Sequence, residues 1–221
     1  VNPLLLRIAA FSAIAAVLII AGYFIIRPSD ALPVLHPKQI NPRLVDTDVR
    51  LAEGEHRISD FKLVDQRGDS VTLATVEGRI IVADFFFTTC PTICPKMTKN
   101  LTRVQQAYPG DSRLAILSHS VTPEADSVPV LAAYAALHGA DPDQWHFLTG
   151  DRKQIYRLAR RSYFACLDEG DGGMQDFVHT ENLVLVDRQR RLRGFYDGTS
   201  TAETDRLLAD IEKLMREEWP E

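Results

Sequence analysis

Ile80-Ile81-Val82-Ala83-Asp84-Phe85-Phe86-Phe87-Thr88-Thr89-Cys90-Pro91-Thr92-Ile93-Cys94-Pro95 is the stretch on which the reading of this chain turns. Residues 80–87 form a strand-like apolar run, and from Lys96 onward Met97, Leu101 and Val104 recur at helical spacing. A central strand therefore hands over to a helix, and two of the chain's three cysteines sit at the handover. A helix N-terminus offers unpaired N–H groups and the positive end of the macrodipole. Both favour thiolate over thiol, and the thiolate is nucleophile and soft-metal ligand alike.

Spacing weighs one chemistry against the other. Residues at i and i+4 of one helical turn have Cβ atoms about 5–6 Å apart, whereas a disulfide brings them to about 3.8 Å. Two thiolates on one metal tolerate the wider separation more easily, with metal–sulfur bonds of about 2.3 Å for zinc as a guide. Pro95 lacks an N–H and suits a first turn. Cys90 is thus expected on the loop and Cys94 at the helix start. A redox dithiol and a metal site both remain open from these residues alone.

Cys90-Pro91-Thr92-Ile93-Cys94-Pro95, following a Phe-rich strand, resembles the CPxxCP signature of the Sco/SenC family, membrane-tethered thioredoxin-like copper proteins of cytochrome c oxidase assembly. That family has a further ligand, a histidine just before a late strand. Here Phe177-Val178-His179-Thr180 precedes residues 182–187, so the match falls on His179. The resemblance extends over residues 61–215 and includes Leu117-Ser118-His119-Ser120-Val121-Thr122-Pro123-Glu124. It implies a thioredoxin-like α/β fold and copper(I) or copper(II) held by Cys90, Cys94 and His179, a soft donor set suited to copper.

The chain has 221 residues, enough for one well-buried domain plus an extra segment. Its net charge of −5 argues against a nucleic-acid partner, which needs a basic surface. Three cysteines are too few for a disulfide scaffold. Residues 8–26 pass without a charge between Arg7 and Arg27, close to the roughly 20 residues that cross a bilayer. A single transmembrane helix is expected, in preference to a cleaved signal peptide or a core helix. Arg7 and the terminal amine favour a cytoplasmic N-terminus, which places the remainder on the extracytoplasmic, periplasmic side of a cell inner membrane. The expected domains are an anchor at 1–27, a Pro-punctuated extended tether at 28–55, with packing of part of it on the domain as the equal alternative, and a thioredoxin-like copper-binding domain at 56–221.

Within that domain, alternating apolar residues around Asp65-Gln66-Arg67-Gly68 predict an N-terminal β-hairpin. Strands are expected at 114–117 and 145–148 and helices at 128–137 and 151–161, the last starting at Asp151. A flexible acidic loop is expected at 168–173, a second hairpin at 182–196 and an amphipathic helix at 202–219.

Asp84 lies inside an apolar strand, six residues before Cys90, a spacing that resembles the buried aspartate beneath the cysteines of thioredoxin. Desolvation would raise its pKa and let it act as a proton relay, the alternative being a hydrogen-bonded structural acid. Met97 and Cys166 read as core residues, and His36, His56, His138 and His146 as structural histidines. His119 reads as facing the same end of the sheet as the cysteines, with ligation the minor reading. The resulting expectation is primarily a copper metallochaperone. It would deliver copper to the copper-bearing subunit of cytochrome c oxidase, reduce that subunit's cysteines, or both, working with other copper chaperones and thiol reductants. The chief rival is a membrane-tethered thiol–disulfide oxidoreductase using Cys90 and Cys94, ahead of a thiol peroxidase and a copper sensor.

Overall fold

The computed structural model describes residues 3–26, 31–168, 177–179 and 181–220, the strand at 177–179 by its backbone. The chain divides into two compact units, Val1–Ala31 and Leu32–Glu221. The first holds helix α1 (Pro3–Ile26), on which Phe11, Ile14, Val17 and Ile19 are exposed. The expected anchor at 8–26 is thus helical. Among the described residues no helix is long and apolar enough to cross a membrane.

The second unit begins with a 3-10 turn, Pro37–Gln39, and a short helix α2 (Thr47–Leu51). The expected hairpin follows as β1 (Lys62–Val64) and β2 (Ser70–Thr72), paired antiparallel. Asp65 Oδ1 accepts the N–H groups of Arg67 and Asp69 in its turn, where Gly68 takes a φ of +86°. Then come β3 (Ile80–Phe86), α3 (Cys94–Ala107), β4 (Leu114–Ser120), α4 (Val128–Leu137), β5 (Trp145–Leu148) and α5 (Arg152–Arg161). The chain closes with β6 (Cys166–Asp168), β7 (Phe177–His179), β8 (Asn182–Val186), β9 (Leu192–Asp197) and α6 (Thr201–Glu218).

The main sheet has the order β5-β4-β3-β8-β9. Strands β3, β4 and β5 are parallel, and β8 and β9 add antiparallel. This mixed sheet between two layers is the expected thioredoxin-like α/β arrangement. Strand β3 is central, which explains why residues 80–86, Asp84 apart, are apolar with no alternation: both of its faces are buried. One face carries Ile80, Val82 and Phe86 against Met97, Leu101 and Val104 of α3, Leu131 of α4 and Leu207, Ile211 and Leu214 of α6. The other carries Ile81, Ala83 and Phe85 against Ile155 and Leu158 of α5, Leu63 and Val71 of the hairpin, and Ile40 and Val45.

Ile40 and Val45 favour the packed alternative over the extended tether. From Leu32 onward the segment belongs to the folded unit: the Leu35 N–H donates to the Leu192 carbonyl at 2.8 Å, and Arg160 pairs with Asp46 at 2.7 Å. Its apolar residues follow neither a helical nor a strand period, because they fill gaps in an existing core. Periodicity therefore carries no sign of them. The expected acidic loop at 168–173 falls, beyond Asp168, outside the described residues; a small antiparallel pair, β6 with β7, flanks the gap.

Candidate metal centre

Cys94 is the first residue of α3, and Pro95 follows in the first turn, where no intrahelical N–H is needed. Cys90 is on the preceding loop, its own N–H donating to the Phe87 carbonyl at 3.2 Å. The Cys94 N–H points back to Cys90 Sγ at 3.5 Å, so the loop folds the Cys90 sulfur onto the first turn of α3. Both cysteines are buried, Cys94 more completely than Cys90, and no disulfide joins them.

Their environments differ in consequence. Burial disfavours a Cys90 thiolate, but the N–H groups of Cys94, Thr92 and Ile93 and the Cys94 thiol outweigh it and bring Cys90 down to about 7. Burial pushes Cys94 strongly up, against the pull of the Phe87 N–H, with negative charge on Cys90 and Asp84 adding to the rise. At neutral pH the pair thus holds one readily formed thiolate and one thiol.

Asp84 lies on the β3 face that meets α3, fully buried. Burial raises it to about 7 against a hydrogen bond from Ser118, and its Oδ1 has no partner among the described residues. Trp145 Nε1 donates to the same Ser118 hydroxyl at 2.9 Å. Tyr134, on α4, is a neighbour that sequence reasoning missed. Burial raises its hydroxyl to about 12 against a bond with Thr98, and the charges of Asp84, Cys94 and Cys90 contribute. Only the packing of α4 on α3 brings it there, which no local pattern records.

His179 ends β7, which pairs with β6 so that His179 lies opposite Cys166. The imidazole of His179 lies outside the described residues. Among the described residues no three histidines, cysteines or acids form a group able to hold a metal ion. Cys90 and Cys94 are brought together with Asp84 nearby.

Met97 is fully buried in the core, and Cys166 is buried too, both as expected. His119 lies at the expected end of the sheet, paired with Phe85 of β3, but its ring is on the opposite face, stacked on Phe85 at 4.8 Å and tilted against Tyr163. The one-residue alternation along β4 decides this. His119 Nδ1–H donates to the Asp84 carbonyl at 3.2 Å, and burial pushes the ring down to about 4. His36, His56 and His146 hydrogen-bond Gly54, Ser162 and Asp65, and the His138 ring packs on Tyr134.

The family described as SCO1/SenC matches residues 49–216. The SCO1 protein homolog of Bacillus subtilis (strain 168) is 31% identical over 158 residues, 71% of this chain and 81% of that protein. Among solved structures, BsSco, a member of the Sco family of cytochrome c oxidase assembly proteins in which a disulfide switch was identified, is 29% identical. It superposes with a TM-score of 0.61 over 72% of this chain and 94% of its own. Bradyrhizobium japonicum ScoI with copper bound is 26% identical, with a TM-score of 0.56 over 71% of this chain and 98% of its own. With a cysteine pair folded together at the end of its central strand and a match over residues 49–216, this chain belongs to the SCO1/SenC family.

Proposed function

We propose that this protein binds copper through Cys90, Cys94 and His179 and passes it on during assembly of the dinuclear copper centre of cytochrome c oxidase. The observation that carries the reading is the cysteine pair itself: at a helix start the Cys94 N–H meets the Cys90 sulfur at 3.5 Å, and that sulfur is readily ionised. Such a pair offers soft donors to a soft ion without a preceding rearrangement. The copper-bound relative and the oxidase-assembly relative support copper as the cargo. A late imidazole completes a three-donor set, and it is the ligand whose departure would open the site to an incoming client thiolate. The partners in this reading are the copper-bearing subunit of the oxidase, other copper chaperones and thiol reductants. The uncharged run at 8–26 and its helical form support a membrane anchor, with the folded unit on the extracytoplasmic side of the inner membrane.

Copper(I) competition against a chromophoric chelator tests this on the reduced chain. One equivalent should bind, Cys90→Ser and Cys94→Ser should each lose nearly all affinity, and His179→Ala should lose at least about tenfold. Equal affinity in His179→Ala and the parent defeats the three-ligand site.

A second reading, reduction of client disulfides, is favoured by the inequality of the two thiols. The Cys90 thiolate would attack a client disulfide and release one client thiolate. The Cys94 sulfur would then displace the other, leaving a Cys90–Cys94 disulfide and a reduced client. Asp84 is the carboxyl that would take the Cys94 proton. Reduction rates that are the same in Asp84→Asn and the parent across pH 6 to 8 would remove Asp84 from that step.

A further inference from the structure

We propose that Asp126 is the positioning residue that sets the redox poise of the Cys90–Cys94 pair, by clamping the strand end on which both cysteines depend. The proposal rests on the reading of those two cysteines as the working pair, but not on copper.

Asp126 lies in the loop between β4 and α4 and is fully buried. Its Oδ1 accepts the Thr88 hydroxyl at 2.5 Å. Its Oδ2 accepts the Ser120 hydroxyl at 2.5 Å, the Thr122 hydroxyl at 3.1 Å and the Thr88 N–H at 3.3 Å. One carboxylate thus ties the end of β3 to the end of β4. The Val121 N–H, donating to the Phe86 carbonyl at 2.9 Å, reinforces the tie. Four donors from two strand ends converge on one side chain, so this junction is stiffer than a loop held by a single contact.

What it holds is Phe87. That residue precedes the doubly bonded Thr88, and its carbonyl receives the Cys90 N–H at 3.2 Å, holding Cys90 where its sulfur accepts the Cys94 N–H at 3.5 Å. That bond to Cys90 sulfur favours the reduced pair, because it stabilises a thiolate more than a disulfide sulfur. With Thr88 released, Phe87 is free to turn and that preference weakens, so the disulfide gains.

The test equilibrates the full chain, in detergent and metal-free chelating buffer, with mixtures of reduced and oxidised dithiothreitol. Protein disulfide plus dithiol gives two protein thiols plus the cyclic reagent disulfide, and alkylation with peptide mass spectrometry counts the Cys90–Cys94 disulfide. Asp126→Ala and Thr88→Val should each move the equilibrium toward disulfide by about fivefold, the scale of one lost hydrogen bond. Asp126→Asn should stay within about twofold of the parent, because the Thr88 hydroxyl can turn to accept from Nδ2 while Oδ1 of the amide keeps the Thr88 N–H. Thr88→Val preserves side-chain shape and decides the matter should Asp126→Ala fail to fold. Parent-like equilibria in the folded variants overturn the proposal. So does an equal shift in Asp151→Ala, which weakens a distant helix, or a parent chain that forms no Cys90–Cys94 disulfide. Copper binding by the parent is measured separately: its absence would sink the copper reading and leave this equilibrium result standing.

Discussion

At the scale of single residues, two buried titratable groups back to back on the sheet pull stability in opposite directions with pH. Asp84 titrates at about 7 in the fold, against 3.8 ordinarily, so the folded state holds a proton that the unfolded state has lost. Its contribution is complete below about 4 and is lost as the pH rises through 7, at most about 4 kcal/mol. His119 titrates at about 4 against 6.5, so the unfolded state takes the proton first. Its contribution is complete above about 6.5 and is lost as the pH falls toward 4, about 3 kcal/mol at most. Between pH 4 and 6.5 the two slopes oppose each other. Urea unfolding of Asp84→Asn should therefore show stability rising with pH across that window, with a gain over the parent above pH 7. In His119→Phe stability should fall with pH. Slopes identical to the parent's would show that neither burial matters. Cys90, Cys94 and Asp84 were legible in the sequence because a short motif and one strand contain them all. The roles of Asp126, Ser118 and Tyr134 were not, since each acts on residues more than thirty positions away that only the parallel pairing and α4 bring near.

At the scale of elements, local signals were strongest where a side chain serves its own backbone. Asp151 caps α5, its Oδ1 accepting the Gln154 N–H at 2.7 Å. Asp151→Ala should cost about 1 kcal/mol, read as a lower urea midpoint with unchanged slope; an unchanged midpoint would mean the cap is replaced by water. The β8–β9 turn makes the opposite case, because Arg190 adopts a φ of +71°, a conformation suited to glycine. Arg190→Gly should be neutral or stabilising by up to about 1 kcal/mol, its exposed ion pair with Asp60 at 3.5 Å contributing little. A loss above that size would show that the arginine side chain supports the turn. The helices and long strands were legible because their burial is periodic or continuous. The β6–β7 pair was not, since three-residue strands are too short to establish a period. The extension of β4 through Ser118, His119 and Ser120 was hidden for another reason: those polar residues are buried with partners that lie elsewhere in the chain.

At the scale of the whole molecule, the segment from Leu32 to Val49 is part of the domain and not a leash. Leu32, Ile40 and Val45 are buried, and Arg193 donates to the Leu32 carbonyl at 2.7 Å. Each buried aliphatic side chain contributes roughly 1.5–3 kcal/mol. Removal of residues 1–55 should accordingly lower the unfolding free energy by several kcal/mol relative to removal of residues 1–31. Equal stability of the two truncations would restore the tether. The packed segment also fixes where the chain leaves the domain, beside the start of β9, whereas the cysteines sit beyond the opposite, C-terminal end of β3, with which β8 runs antiparallel. The proposed delivery site thus stands at one end of the sheet and the chain's exit at the other. The proposed copper site depends above all on His179 joining the two sulfurs on one ion. X-ray absorption at the copper edge of the chain carrying one equivalent of copper(I) reads this directly. Two sulfurs and one nitrogen are predicted, the nitrogen vanishing in His179→Ala; a shell of sulfur alone, the same in parent and variant, would contradict it.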